Sequence, residues 1–330
     1  MLQKKVLVTG GAGFIGSHLV DKLLEEGHEV IVIDNLVTGH KDNLTNIKER
    51  ISFFNVDVTN FERILPLCNK VDWVFHLAGL ADIVPSIENP LKYYNSNVNG
   101  TISLLEASRI QKVEKFIYAA SSSCYGIPNE FPTKESSAIS PMYPYALTKF
   151  QGEQAALHWN KVYGLKTISL RLFNVFGPRS RTSGAYGAVF GVFLAQKLSN
   201  QPFTIVGNGN QLRDFIFVTD VVDAFIQSAN SNIDNAVFNV GTGNPQSINK
   251  LVGLLDNKAG HINIPKREGE PDQTNADTSL IKSNLNWSPK VSFKKGVDIM
   301  LNNINHWKDA PVWDAGAIAE QTKTWFKYMH

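Results

Sequence analysis

Residues 4–20, KKVLVTGGAGFIGSHLV, constrain what this chain can fold into more than any other stretch. Residues 6–8 are a short, valine-rich apolar run of the kind that forms a buried strand. Gly10, Gly13 and Gly16 follow at G-x-x-G-x-x-G spacing, and residues 17–24 carry Leu19, Val20, Leu23 and Leu24 on one helical face. Strand, glycine turn and helix in that order make a site for a diphosphate. The glycines let backbone come close, and the helix N-terminus offers free N–H groups and the positive end of a dipole. The flanking strand and helix supply the context that glycine spacing alone lacks; without them the stretch reads as an ordinary glycine-rich turn.

The alternation continues along the chain. Residues 29–33 form a second apolar strand ending at Asp34. An acidic residue there, about 20 residues beyond the glycine turn, can accept a hydrogen bond from an adenosine ribose and repels a 2′-phosphate. No arginine occurs in residues 35–39, so NAD is expected rather than NADP. The competing reading of Asp34 is a loop cap. A third strand is expected over 51–56, then a helix carrying Ile64, Leu65 and Leu67. A fourth strand over 73–79 ends in small residues that leave room for a ligand. A helix over 91–109 and a fifth strand over 115–120 follow. This rhythm predicts an α/β fold, a Rossmann-type doubly wound parallel sheet. Within it, His76 falls in an alternating apolar run and is read as packed rather than as a base.

The fifth strand runs into Ser121-Ser122-Ser123-Cys124-Tyr125-Gly126, placing hydroxyls at the crevice end of the sheet, unless the segment is simply a polar loop. Cys124 has no neighbouring cation in sequence to lower its pKa and is read as a small buried residue. Tyr145 and Lys149 are spaced i, i+4, so on a helix they share a face. A free tyrosine has a pKa of about 10, too high for a base near neutrality. A lysine ammonium and a nicotinamide cation close by would favour the phenolate and bring it into range. The competing reading is an exposed helix pair.

Composition narrows the class. Of 330 residues, 43% are hydrophobic and 19% charged, which fits a globular chain of roughly two domains. The net charge of +2, with no basic stripe, argues against nucleic acid as a partner. Two cysteines, Cys68 and Cys124, without a C-x-x-C motif fit a reducing compartment and no metal. With no secretory pattern and no apolar run of about 18 residues, a cytoplasmic location is expected.

Together the glycine turn, the serine strand and the Tyr145/Lys149 pair resemble the extended short-chain dehydrogenase/reductase family. Residues 76–101, HLAGLADIVPSIENPLKYYNSNVNGT, resemble its UDP-galactose/UDP-N-acetylglucosamine 4-epimerase branch, and the likeness runs over roughly residues 4–308. It implies a catalytic set of Ser121, Ser123, Tyr145 and Lys149. Around NAD it implies Gly10, Gly13, Phe14, Ile15, Gly16, Asp34, Asn35, Gly39, Asp57, Val58, Leu77, Ala78, Gly79, Ser96, Tyr145, Lys149 and Phe173. Around the nucleotide sugar it implies Ser123, Asn174, Ala188, Val189, Thr204, Val206, Arg213, Arg267, Glu270 and Thr274. In this pattern Asn174, Arg213 and Arg267 hold the diphosphate and Glu270 meets the uridine ribose; an arginine can grip phosphate through two bonds. A surface role for Arg213 is the alternative.

Four departures from the family pattern are informative. Ser122 and Ser123 stand where related 4,6-dehydratases carry Asp and Glu, which disfavours dehydration. Thr274 stands where a bulky aromatic restricts the pocket to plain hexoses, so an N-acetyl group is expected to fit. Ala81 stands where some hexose-type members carry a lysine. Glu268 replaces the usual proline of the segment Arg267-Glu268-Gly269-Glu270-Pro271, which removes a source of loop rigidity.

The resulting expectation is a UDP-hexose 4-epimerase that inverts C4 through a transient 4-keto sugar. Its rivals on the same fold are a 4-dehydrogenase, a uronic-acid epimerase or a 4,6-dehydratase; a non-catalytic nucleotide-binding protein is the remaining alternative. The expected organisation is a cofactor domain of residues 1–175 with about 215–245, and a nucleotide-sugar lobe of 176–214 and 246–308. A tail over 309–330 would pack on the core. Family likeness also implies a homodimer through the helices near 91–109 and 146–162.

Overall fold

The computed structural model describes residues 2–180, 189–256 and 260–329. The first half runs β1 (Lys5–Thr9), α1 (Phe14–Glu25), β2 (Glu29–Ile33), β3 (Ile51–Phe54), α2 (Phe61–Ile64), β4 (Trp73–His76), α3 (Ile83–Glu88), α4 (Pro90–Tyr94), α5 (Gly100–Ile110) and β5 (Lys115–Ser121). Next come α6 (Pro144–Tyr163), β6 (Thr167–Leu172), β7 (Asn174–Phe176), α7 (Val189–Leu198), β8 (Phe203–Val206), β9 (Leu212–Arg213), β10 (Phe215–Phe217), α8 (Val218–Asn230) and β11 (Ala236–Val240). The chain closes with β12 (Gln246–Ser247), α9 (Ile248–Leu255), β13 (His261–Ile264), α10 (Ser279–Leu285), α11 (Phe293–Asn302), α12 (Ala315–Gln321) and α13 (Lys323–Tyr328).

Seven strands pair in parallel in the order β11-β6-β5-β4-β1-β2-β3, the doubly wound sheet that the strand–helix rhythm predicts. Side chains alternate across it. Val6, Val8, Val32, Phe75 and Ile117 pack on one side with α1 and α8, while Leu7, Ile31, Val74 and Phe116 pack on the other with α5 and α6. Because both faces are covered, β1 and β2, inside the sheet, carry near-continuous apolar runs over 6–8 and 30–33 instead of alternating with polar residues.

Several expected boundaries move. The helix after the glycine turn begins at Phe14 rather than residue 17, and β3 stops at Phe54 rather than 56. β4 ends at His76, leaving residues 77–79 as loop. The helix expected over 91–109 is interrupted by a π turn, Asn95–Asn99, between α4 and α5.

The remaining pairings are small: β7 with β10, β9 with β12, and β8 with β13. They enclose a separate apolar cluster that includes Phe176, Phe190, Phe203, Phe215, Val297 and Trp307. Phe176 and Phe190 stack there with centroids 4.5 Å apart.

One buried ion pair ties α6 to the sheet. Arg171 on β6 donates to Glu153 on α6 from Nη2 at 2.6 Å and from Nε at 2.9 Å, the two side chains being 5% and 1% exposed. Ser169 donates to the same carboxylate, and Arg171 also donates to the Tyr125 hydroxyl. Removing one partner strands the other charge in an apolar interior, so Arg171→Ala is expected to lower the unfolding free energy by about 3–5 kcal/mol in urea titration.

Candidate active site

The order of strands reverses between β1 and β4, so the loops after them diverge and leave a crevice at their carboxyl ends. Gly10 sits at that point with φ +70°, and a Cβ on it would lie 2.7 Å from the Ala78 nitrogen. A Cβ on Gly16 would lie 2.1 Å from the Gly10 carbonyl oxygen. No side chain caps α1, so the N–H groups of Phe14, Ile15 and Gly16 in its first turn point to the crevice without an intrahelical acceptor. This cradle fits a dinucleotide diphosphate.

Asp34 ends β2 beside it. Its carboxylate accepts the Ala12 N–H at 3.0 Å and the Leu36 N–H at 2.8 Å, so it caps its loop and keeps further lone pairs for a ribose hydroxyl. Burial raises its pKa above the usual carboxylate range. Gly39 packs flush on this carboxylate, where a Cβ would come within 2.8 Å of both oxygens. Asn35 donates to Asp57 at 2.8 Å, and Val58 packs under Gly100. His76 is buried between the Thr9 and Thr101 hydroxyls at 2.7 and 2.9 Å, and burial pushes its pKa down to about 3. It is a neutral packing residue, as its alternating strand implies.

Asn97 is a residue that sequence reasoning missed. It lies in the π turn next to Ser96, and its amide holds both the N–H and the carbonyl of Leu80, at 2.8 and 3.0 Å. It also donates to Thr148 at 3.1 Å, joining the loop after β4 to the helix that carries Tyr145. The recurring Asn95, Asn97 and Asn99, poor helix formers in a helical stretch, were the available signal.

At the end of β5 the Ser121 and Ser123 hydroxyls are 2.8 Å apart. The Ser121 hydroxyl also acts on the phenol of Tyr145, near the start of α6, favouring its charged form. One turn on, Lys149 is buried with its ammonium 4.4 Å from the Tyr118 ring centre. Burial opposes both charges: it raises Tyr145, which the Ser121 hydroxyl counters in part, and lowers Lys149 to about 7 despite the nearby Glu153 carboxylate. The protein thus moves Tyr145 up, opposite to the direction expected from the lysine, because the phenol is desolvated. Cys124 is buried, as its sequence context implies; the fold brings Arg171 near it, but burial dominates and pushes the thiol up to about 12. Phe173 packs with Cys124 and Tyr125 behind the serines.

Across the crevice, Arg213 is buried and donates to Glu270 at 2.9 Å, and Arg267 lies 3.7 Å from the same carboxylate. Residues expected to share the diphosphate and ribose therefore do meet, although 57 positions separate Arg213 from Glu270. They border a cleft of about 440 Å³ lined by Val206, Gly207, Asn208, Asn210, Gln211, Arg213, Lys266, Glu270, Pro271 and Asp272. Of these, only Val206, Arg213 and Glu270 are expected at the nucleotide sugar from sequence.

Thr274 donates to Asn174 Oδ1 at 2.8 Å and accepts the Asp214 N–H at 2.9 Å, so its hydroxyl orients Asn174. Asp214, fully buried, gathers the N–H groups of Thr242, Gly243 and Ala276 and holds both loops together. Two expected contacts fall elsewhere. Thr204 is buried and turned toward Gln196, which donates to it at 2.8 Å, whereas Val206, at the end of β8, lines the cleft. Val189 packs on the phenylalanine-rich cluster from α7. Ala188 lies outside the described residues.

Residues 6–241 match the model of the NAD dependent epimerase/dehydratase family. The chain belongs to that family. Its cofactor is therefore NAD, and the Gly10–Gly16 cradle, the uncapped α1 and Asp34 fit it. The UDP-glucose 4-epimerase of Mycolicibacterium smegmatis is 34% identical over 304 residues, 89% of this chain and 96% of that protein. The crystal structure of the Thermotoga maritima UDP-glucose 4-epimerase with UDP-glucose superposes with a TM-score of 0.86 at 34% identity, covering 92% of this chain and 99% of that one. A UDP-N-acetylglucosamine 4-epimerase from Methanobrevibacter ruminantium, in complex with UDP-N-acetylmuramic acid, gives 0.85 at 34% identity, with 92% and 100% covered. No described helix is long and apolar enough to cross a membrane.

The charge of Lys149 is the pH-sensitive part of this site. Its ammonium is lost as pH rises through about 7, and the Glu153 carboxylate works to keep it. Glu153→Gln is expected to move the alkaline limb of the kcat/KM profile to lower pH, by about one unit; an unmoved limb would detach Lys149 from the rate.

Proposed function

We propose that this enzyme is a UDP-hexose 4-epimerase, accepting UDP-GlcNAc and UDP-GalNAc as well as, or in place of, UDP-Glc and UDP-Gal. The observation that carries the proposal is the gathering of Ser121, at the end of β5, with Tyr145 and, one turn on, Lys149 of α6, in the crevice that also receives the diphosphate cradle. Tyr145 takes the proton of the sugar 4-hydroxyl, and Ser121, whose hydroxyl favours the phenolate, orients that hydroxyl. Bound NAD⁺ supplies a reversible hydride acceptor and a positive ring. Lys149 keeps a second positive charge below the phenol, and both charges act against the upward shift that burial imposes on Tyr145.

Arg213, Arg267 and Asn174 hold the UDP diphosphate, and Glu270, which bridges both arginines, turns to the ribose. Firm contacts on UDP and a permissive sugar pocket suit a reaction in which the ring must present either face at C4. Ser122 and Ser123, in place of two carboxylates, leave no acid–base pair for dehydration. Residues 1–175 and 215–245 are assigned to the cofactor, and 176–214 with 246–308 to the nucleotide sugar. Leu91, Tyr94, Ile102, Leu147, Val162 and Tyr163 are exposed along α4, α5 and α6, an apolar face that suits a second copy of the chain.

Side-by-side incubation with UDP-GlcNAc, UDP-Glc and UDP-GlcA, followed by NMR, tests the reading: C4-inverted products are expected, and a keto sugar as sole product would overturn it. Tyr145→Phe is expected to lower kcat by about 10³-fold, whereas unchanged turnover would exclude Tyr145 as the base.

Thr274 sets the second expectation. Thr274→Tyr is expected to depress turnover of N-acetylated substrates more than that of UDP-Glc. Thr274→Val keeps the size but drops the bond to Asn174, so it should raise KM for both alike. Equal effects of Thr274→Tyr on both substrate classes would remove its gating role.

A further inference from the structure

The tail after α11 reaches the active site. Trp313 anchors it at one end, where its carbonyl accepts the Gln196 amide at 2.6 Å on α7. At the other end, α13 sits against α3, and the Thr324 hydroxyl donates to Glu88 at 3.1 Å. Trp325 is 2% exposed and packs with Met329 on Val84, Ile83 and Ile87 of α3, and on Met142 and Tyr143 at the entry to α6.

Two contacts of Trp325 lead into the site. Its ring lies 6.0 Å from that of Tyr143, which runs parallel to the ring of Tyr145 at 6.3 Å and 8°. Its Nε1–H donates to the Glu268 carbonyl at 2.7 Å, inside the segment bounded by Arg267 and Glu270. Gly269 there has φ +75°, and a Cβ on it would meet the Met329 and Met142 methyls at 3.0 and 3.2 Å. This loop lacks both regular secondary structure and the proline that the family pattern places at position 268. The tail supplies the fixation that the loop's own backbone does not.

We propose that Trp325 is a positioning residue that sets the diphosphate-gripping segment 267–270 against the catalytic tyrosine. It acts on the first through the Glu268 carbonyl and on the second through Tyr143. The function rests on the 4-epimerase reading above; the fixation itself does not change which bond is made. A side chain acting this way holds the nucleotide sugar without touching it, and leaves the NAD cradle, on the other side of the crevice, undisturbed.

The test compares Trp325→Phe, which keeps the packing and removes the N–H donor, with Trp325→Ala, which removes both. Trp325→Phe is expected to raise KM for the UDP-sugar and the dissociation constant for UDP, by calorimetry, about fivefold, the worth of one hydrogen bond to a sheltered carbonyl. Its kcat should stay within about twofold and its NAD affinity should not change. Trp325→Ala should weaken UDP about tenfold further and also lower kcat, since Tyr143 loses its backing. A folded Trp325→Phe with wild-type KM and UDP affinity overturns the inference while leaving the epimerase reading intact. Parallel losses of NAD and UDP affinity overturn it too, in favour of a general packing role. A wild-type protein that binds no UDP and interconverts no UDP-sugar removes both.

Discussion

The approach of two backbones at the carboxyl ends of β1 and β4 governs most of what this molecule does. Gly10 turns there with a positive φ, against the Ala78 nitrogen, at the point where the sheet reverses its winding. A side chain at Gly10 would push β1 from β4 and close the crevice. With glycine there, the uncapped α1 faces an open cleft, the serines of β5 reach the same cleft, and α6 crosses above it. The site is thus a consequence of topology: neighbouring loops diverge at one place, and chemistry-bearing residues gather there.

Charge is managed within that frame by burial. Glu153 and Arg171 neutralise each other between α6 and β6, one turn from Lys149, so the helix that presents the tyrosine and lysine is locked by the same pair that biases the lysine charge. Lys149 and Tyr145 are both held away from their charged forms by desolvation. Such a site is poised to respond to a positive ring arriving beside it. His76, though ionisable and central, is kept neutral between two threonines and takes no part.

Local patterns made much of this legible. The glycine turn, β2 and the Tyr145/Lys149 pair are all short-range features, set by spacing or by a continuous apolar run, and they stand where the sequence puts them. Boundaries were less legible. Val56 extends the apolar pattern of β3 past Asn55, but the ladder with β2 ends at Phe54. The π turn at Asn95–Asn99 could not be read from periodicity, because it exists to bring Asn97 to Leu80, a partner 17 residues away. Likewise Thr204 and Val206 share a face of β8, and only the packing of Gln196 over the first and the end of the strand at the second decide that Val206 alone lines the cleft.

The amino-acid sequence by itself determined the strand–helix alternation of the doubly wound sheet, the glycine turn before α1 and the Tyr145/Lys149 pair on one helix, because each is written in short-range spacing. Tertiary structure alone decided the opposite wall of the crevice. Arg213 meets Glu270, Thr274 orients Asn174 from a hundred positions away, and Trp325 reaches back to Glu268. These contacts join segments with no shared periodicity, and their geometry follows from how loops and tail close over the sheet. The direction of the Tyr145 shift belongs with them: charge spacing suggests a lowered pKa, and burial, which only the folded chain creates, raises it.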